Sequence, residues 1–117
     1  MDKAHIESIL FHAWSIKTSS KWTHSNPAKG QCSVTALVIQ DLFDGEIVKT
    51  AAPEGWHFYN IIEGERLDFT ASQFKEALLY EDLPSSRKEA LTDTSAKQYE
   101  ELRMRVLLSL DSSILLS

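Results

Sequence analysis

Apolar residues recur every three or four positions in two stretches near the start of the chain, which predicts two amphipathic helices. The first covers residues 3–16 and begins after Asp2, a residue type that caps helix N-termini. The second begins near Cys32 and continues to about Leu42. It ends before Gly45, whose missing side chain suits the left-handed conformation that follows a helix.

Two short sequences of the form Ser/Thr-x-x-Gln mark the starts of two further predicted helices. The sequence at 70–73 predicts a helix that reaches Leu79, and the sequence at 95–98 predicts a helix to about Leu110. Between them, residues 81–93 are polar and predict a loop with room for one helical turn.

Three stretches with strand-like composition, residues 46–51, 56–62 and 66–69, predict β-strands. Short turns at 53–55 and 63–64 join them, so successive strands should be antiparallel. Two helices, three strands and two more helices predict an α+β fold. In this fold a small antiparallel three-stranded sheet packs against the second helix.

Composition and charge limit the possible partners. A chain of 117 residues fits one domain, and its formal net charge of -5, with scattered basic residues, argues against nucleic acid and anionic membranes. No apolar run could span a membrane and the first residues lack a signal-peptide pattern, so we expect a cytoplasmic protein. The sequence has no glycine-rich phosphate loop and no closely spaced metal ligands, so we expect no cofactor and no metal. The oligomeric state stays open.

The single cysteine, Cys32, lies where the second predicted helix begins. A thiolate there faces unpaired backbone N–H groups and the positive end of the helix dipole, which favour its charged, nucleophilic form. Gly30, two residues earlier, would let the chain turn sharply into the helix. A free cysteine also serves as a small buried hydrophobic residue, and this alternative stays open.

A histidine and an aspartate on neighbouring predicted strands supply the other groups that thiol chemistry needs. A two-residue turn at 63–64 places His57 opposite Thr70 and Tyr59 opposite Asp68, which makes His57 and Asp68 diagonal neighbours on one face. An aspartate so placed can fix the imidazole tautomer and stabilise its charged form. The sequence thus predicts a Cys-His-Asp triad, although each residue could singly have a structural role.

Acyl transfer also needs hydrogen-bond donors for a developing oxyanion. The backbone N–H of Cys32 is one. The candidates for the second, in order of preference, are the side chains of Asn26, Gln31 and Trp22. Asn26 precedes a proline and could instead form a turn. We expect Trp22, Trp56 and Tyr59 to line the same cleft.

Four segments resemble the YunG-like family, a group of small uncharacterised bacterial proteins. They are NPAKGQCSVTALV at 26–38, GEI at 45–47, HFYN at 57–60 and LDFTASQF at 67–74. The resemblance extends over about residues 14–99, and the Asn-Pro-Ala-x-Gly-Gln-Cys run is its specific part. It implies no activity.

More distantly, the order of a cysteine at a helix start and a histidine and an aspartate on successive strands resembles papain-like and transglutaminase-like cysteine enzymes. The resemblance implies a papain-like core with Cys32 as nucleophile, His57 as base and Asp68 as orienting residue. It also implies an oxyanion role for Asn26, six residues before the cysteine. The spacing from Cys32 to His57 is short for that superfamily.

We therefore expect a cysteine-dependent acyl-transfer enzyme, namely an amidohydrolase, a thiol peptidase or a transglutaminase-like enzyme. Its substrate would be a small molecule or a peptide side chain. Two alternatives stay open: a non-catalytic binding module that retains the fold, and a regulatory protein whose thiol is a redox sensor.

Overall fold

In the computed structural model, helices pack against one face of a small antiparallel sheet. The structure describes the backbone of residues 2–116 and the side chains of residues 2–111. In chain order the elements are α1 (Lys3–Ala13), α2 (Cys32–Phe43), β1 (Glu46–Ala52), β2 (Gly55–Ile62), β3 (Glu65–Leu67), β4 (Leu83–Pro84), α3 (Arg87–Thr92) and α4 (Ala96–Leu116). The predicted α+β class is confirmed. No helix in the described part of the chain is long and apolar enough to cross a membrane.

The strands lie in the order β3-β2-β1-β4, and every neighbouring pair is antiparallel. The β2–β3 ladder pairs Asn60 with Leu67, and it has the register that the sequence predicted. The turn between them places Glu63 at φ 51° and Gly64 at φ 78°, and two such left-handed residues form the turn that matches the strand twist. β2 is thus an interior strand with a fixed register on both sides.

The sheet has four strands, so the prediction of a three-stranded sheet was wrong. β4 consists of only two residues, which pair with Val48 and Lys49 of β1, and one of the two is a proline. A proline cannot donate to a ladder and is tolerated on an edge strand, as here. So short a strand at the sheet edge leaves no alternating pattern in the sequence.

The helix predicted from the sequence at 70–73 does not form. Only a 3₁₀ turn over Ala71–Gln73 is present, and the side chain of Thr70 makes no capping hydrogen bond. The Thr70 hydroxyl instead donates to Asp68 Oδ1, while the Gln73 side chain accepts a hydrogen bond from Gly30 N–H. The two side chains that the capping pattern needs are therefore engaged elsewhere, one with a near neighbour in the chain and one with a distant residue.

The other helices follow the sequence more closely. Asp2 caps α1 as predicted, by accepting from the backbone N–H of His5, but α1 ends at Ala13 because Trp14 turns away. The indole N–H of Trp14 donates to Thr35 Oγ1 in the core, at 2.9 Å. Ser95 caps α4 as predicted, by accepting from Gln98 N–H, and α4 continues beyond the predicted end to Leu116.

Different parts of the chain pack on the two faces of β2. Asn60 points towards α2, where its Nδ2 donates to the carbonyl of Ala36 at 3.0 Å. His57 and Tyr59 point to the opposite face, as alternation along a strand requires. The irregular segment 68–82 covers that face, and its Phe74 ring lies 4.9 Å from the His57 ring, centroid to centroid.

Candidate active site

The thiol of Cys32 lies at the start of α2, beside a cleft of about 220 Å³. The chain enters the helix through Gly30, whose φ of +74° is one that a residue with a side chain rarely adopts. A Cβ at this position would lie 2.4 Å from Ser19 Oγ, so the site also requires the absence of a side chain. Cys32 is 8% exposed, and this small opening is towards the cleft.

A buried ion pair joins the predicted base and the predicted orienting residue. His57 Nε2 lies 2.7 Å from Asp68 Oδ2, and the side chains are 1% and 5% exposed. The Tyr80 hydroxyl donates to the same carboxylate oxygen at 2.7 Å. The backbone N–H and hydroxyl of Thr70 donate to Oδ1 at 3.1 and 3.2 Å. The carboxylate is therefore fully hydrogen-bonded and holds the imidazole in one orientation.

The surroundings of His57 favour its protonated form. Burial alone would lower the imidazole pKa, but the hydrogen bond that His57 donates to Asp68, the neighbouring Cys32 and the charge of Asp68 together raise the pKa from 6.5 to about 9. At neutral pH the ring is therefore an imidazolium. Such a ring can stabilise a thiolate beside it and can later donate a proton.

The second ring nitrogen of His57 is not bound by Asp68. Nε2 is taken by Asp68, while Nδ1 is buried and has no hydrogen-bond partner in the described residues. Cys32 lies near enough to raise the imidazole pKa, and both residues line the cleft. The thiol and the imidazole are thus close neighbours without a formed hydrogen bond, an arrangement common in catalytic pairs without bound substrate.

Of the three aromatic residues expected at the cleft, Trp56 lines it, Tyr59 supports it from behind, and Trp22 does not line it. Trp56 is 48% exposed at the rim, and Lys49 Nζ lies 4.2 Å from the centre of its ring. Tyr59 is buried and stacks on His57 with a centroid distance of 5.9 Å. Its hydroxyl donates to Asp82 Oδ1 at 2.7 Å, so it points away from the cleft.

The three side chains considered for the oxyanion do not line the cleft. Asn26 Nδ2 donates to the backbone carbonyl of Gln73 at 3.1 Å. The Gln31 side chain is buried and accepts from the Thr18 hydroxyl at 2.8 Å. Trp22 packs against the core. The Gln31 side chain is thus bonded within the loop before α2 and Asn26 to the segment after β3, whereas Trp22 Nε1 is buried with no hydrogen-bond partner in the described residues.

Two residues at the site were not identified from the sequence. Tyr80 lies in an irregular segment with no pattern that marks it as a partner of Asp68. Gln73 lines the cleft, but the sequence presented it as a helix-capping residue, and that assignment hid any other role. Its place in the segment LDFTASQF, which begins one residue before Asp68, was the available signal. No cluster of three or more histidine, cysteine or acidic side chains in the described residues could hold a metal ion.

The fold and site therefore define a small α+β protein in which a cysteine and a histidine line one cleft and a buried aspartate pairs with the histidine. A family model described as "YunG protein" matches residues 2–111, and the chain belongs to this YunG family. One relative, from Bacillus subtilis (strain 168) and titled "Uncharacterized protein YunG", is 54% identical over 99 residues. These cover 85% of this chain and 86% of the relative. No solved structure matches the chain, so the resemblance to papain-like and transglutaminase-like enzymes gains no support from this comparison.

Proposed function

We propose that the protein is a cysteine-dependent acyl-transfer enzyme, in which Cys32 is the nucleophile, His57 the acid and base, and Asp68 the orienting residue. The observation that carries the proposal is the free Nδ1 of a buried histidine, next to the thiol in a shared cleft. The other ring nitrogen is fixed by a buried carboxylate, which is the arrangement that nucleophilic catalysis uses.

The proposed reaction has two steps. The Cys32 thiolate attacks the acyl carbon, a carbon–sulfur bond forms, and the carbonyl electron pair moves to the oxygen. When the pair returns, the bond to the leaving group breaks, and the leaving group takes a proton from the His57 imidazolium. In the second step His57 removes a proton from water or an amine, which attacks the thioester and releases the thiol.

The size of the cleft limits the substrate. A volume of about 220 Å³ is smaller than most pockets that enclose a whole drug-sized ligand. A small amide or ester, or one side chain of a peptide, suits it better than an extended peptide. The proposal thus includes an amidohydrolase, a thiol peptidase or a transglutaminase-like enzyme built on a papain-like core, in a cytoplasmic setting that keeps the thiol reduced.

A binding module that uses the same cleft without chemistry is the second candidate. The exposed face of Trp56 at the cleft rim favours it, because aromatic faces commonly hold ligands. The two functions differ in what happens at Cys32. A binding module forms no covalent adduct with an acyl donor.

The test uses p-nitrophenyl acetate as acyl donor and intact-protein mass spectrometry as readout. We expect a burst of p-nitrophenolate and one acetyl group bound as a thioester, which neutral hydroxylamine removes. Cys32→Ala should abolish both signals, and His57→Ala should slow the burst roughly 10²- to 10⁴-fold. His12→Ala changes an exposed histidine outside the cleft and is the matched control. Acetylation confined to lysines, with no burst, would reject the proposal.

A further inference from the structure

The side chain of Gln73 connects the loop before Cys32 with the cleft. Its Oε1 accepts a hydrogen bond from Gly30 N–H at 3.3 Å, and its Nε2 is buried with no partner in the described residues. The orientation of the amide follows from chemistry, since a backbone N–H can only donate and must face the oxygen. The amide nitrogen is therefore the side-chain atom left without a partner, in the wall of the cleft that Gln73 lines.

An unpartnered amide nitrogen at such a position is unusual. Buried polar groups are hydrogen-bonded in the great majority of cases, and each exception calls for an explanation. The backbone N–H of Cys32 is a second free donor nearby, because the first residue of a helix has no helical carbonyl to bond. Two donors beside one nucleophile are what a developing negative oxygen needs.

We propose that Gln73 is a catalytic residue whose Nε2, together with the Cys32 N–H, binds the oxyanion formed during acyl transfer. This inference rests on the proposed function and adds the group that stabilises its transition state. As the sulfur–carbon bond forms, the carbonyl electron pair moves to the oxygen, and the two N–H groups bind it. Gln73 transfers no proton, and its hydrogen bond weakens when the electron pair returns and the leaving group departs.

The hydrogen bonds to Gln73 also indicate a role for the Asn-Pro-Ala-x-Gly-Gln-Cys run at 26–32. Asn26 Nδ2 donates to the backbone carbonyl of Gln73, and Gly30 N–H donates to its side-chain oxygen. The loop that leads into Cys32 therefore fixes Gln73 at both its backbone and its side chain. Asn26 and Gly30 are positioning residues, and they tie the oxyanion donor to the nucleophile through one short stretch of chain.

Two reagents that both react with Cys32 separate this role from a general effect on the thiol. Iodoacetamide alkylates a thiolate by displacing iodide and forms no oxyanion, whereas p-nitrophenyl acetate reacts through a tetrahedral oxyanion. Gln73→Ala should lower the acylation rate about 100-fold or more and leave the alkylation rate unchanged. His57→Ala should lower both rates, and the exposed-site variant His12→Ala should lower neither.

A second variant covers the case in which Gln73→Ala does not fold. Gln73→Glu keeps the size of the side chain and an oxygen for Gly30 N–H, but it replaces the amide nitrogen with a carboxylate oxygen. At neutral pH acylation should fall at least as far as with alanine, again without loss of alkylation. Asn26→Ala should lower acylation less, and adding it to Gln73→Ala should cause little further loss, because both act on one donor.

The outcomes distinguish failure of this inference from failure of the proposed function. Equal losses with both reagents, or unchanged acylation in the Gln73 variants, would overturn the role of Gln73 and leave the Cys32 mechanism in place. A wild-type protein that is never acylated at Cys32 would overturn both.

Discussion

The Nε2 atom of His57 lies 2.7 Å from Oδ2 of Asp68, inside a sheet face that irregular chain covers. This contact leaves Nδ1 as the nitrogen that can serve the thiol of Cys32. It also raises the pKa of His57 to about 9, against the opposing effect of burial, with Cys32 contributing to the rise. The protonation state of the pair therefore links the reactivity of the site to the stability of the fold.

Alkylation by iodoacetamide reports on Cys32 alone, because the chain has one cysteine. We expect the wild-type protein to react at pH 7 faster than free cysteine, since the imidazolium and the helix N-terminus both stabilise a thiolate. His57→Ala should slow the reaction at neutral pH, and Asp68→Asn should slow it less. The measurement is the alkylation rate of the three proteins from pH 5 to 9. A wild-type profile matching free cysteine would contradict the catalytic role of Cys32. Alkylation that is slow in all three proteins until they unfold would mean that the thiol is only a core residue.

The stability of the fold should fall as the pH rises above neutral. The pKa of His57 is raised from 6.5 to about 9, so the folded state keeps a proton that the unfolded chain loses in this window. The stabilisation is complete below pH 6.5 and is lost as the pH rises through 9, by up to about 3 kcal/mol. Urea unfolding at intervals from pH 6 to 10 measures it.

Asp68→Asn provides the matching control for this pH dependence. The variant removes the charge that holds the proton on His57, so its unfolding free energy should change much less between pH 6.5 and 9. A wild-type curve that stays flat over this window would show that His57 titrates as in the unfolded chain.

The hydroxyl of Tyr80 should stabilise the fold through Asp68. Tyr80→Phe removes a hydrogen bond to a buried carboxylate, for which we expect a loss of about 1.5–3 kcal/mol. In a double-mutant cycle with Asp68→Asn, the two losses should not add, because the residues are in contact. Tyr99→Phe removes a hydroxyl that contacts Asp41 instead, and it should show no coupling to Asp68. Additive losses for Tyr80 and Asp68 would contradict the shared hydrogen bond.

Alanine substitutions at Gly30 and Gly64 distinguish the cost of a left-handed backbone from the cost of a steric clash. Both have positive φ angles, but a Cβ at Gly64 would meet nothing within 4 Å, whereas one at Gly30 would meet Ser19 Oγ at 2.4 Å. Gly64→Ala should cost about 1–2 kcal/mol of unfolding free energy, from the left-handed backbone alone. Gly30→Ala should cost roughly 1–3 kcal/mol more. Thermal unfolding of both variants measures this difference. Equal losses of unfolding free energy would mean that the loop before Cys32 accommodates the added Cβ without cost.

The parts of the fold that local chemistry specifies were predictable from the sequence. The caps of α1 and α4 use side chains within three residues of the helix start, and the β2–β3 register follows from a turn of two residues. The proximity of His57 and Asp68 follows from that register. These features depend on near neighbours in the chain, which a pattern can record.

The remaining features depend on contacts between distant residues. Gln73 has the spacing of a helix-capping residue, but its side chain accepts a hydrogen bond from Gly30, which is 43 residues away in the chain. The amide of Asn26 was expected at the cleft, and it bonds instead to a carbonyl that is 47 residues away in the chain. No spacing rule along the sequence reports such competition, because the competing partner is known only once the chain is folded.

The length of the left-handed turn at Glu63 and Gly64 sets the position of Asp68 relative to His57. Surface loops usually tolerate insertions, but one added residue in this turn would shift the strand register and move Asp68 to the opposite side of the sheet. The turn is exposed, and its left-handed backbone favours glycine at position 64. Natural selection would therefore act on the number of residues in this turn as well as on their ability to adopt left-handed φ angles.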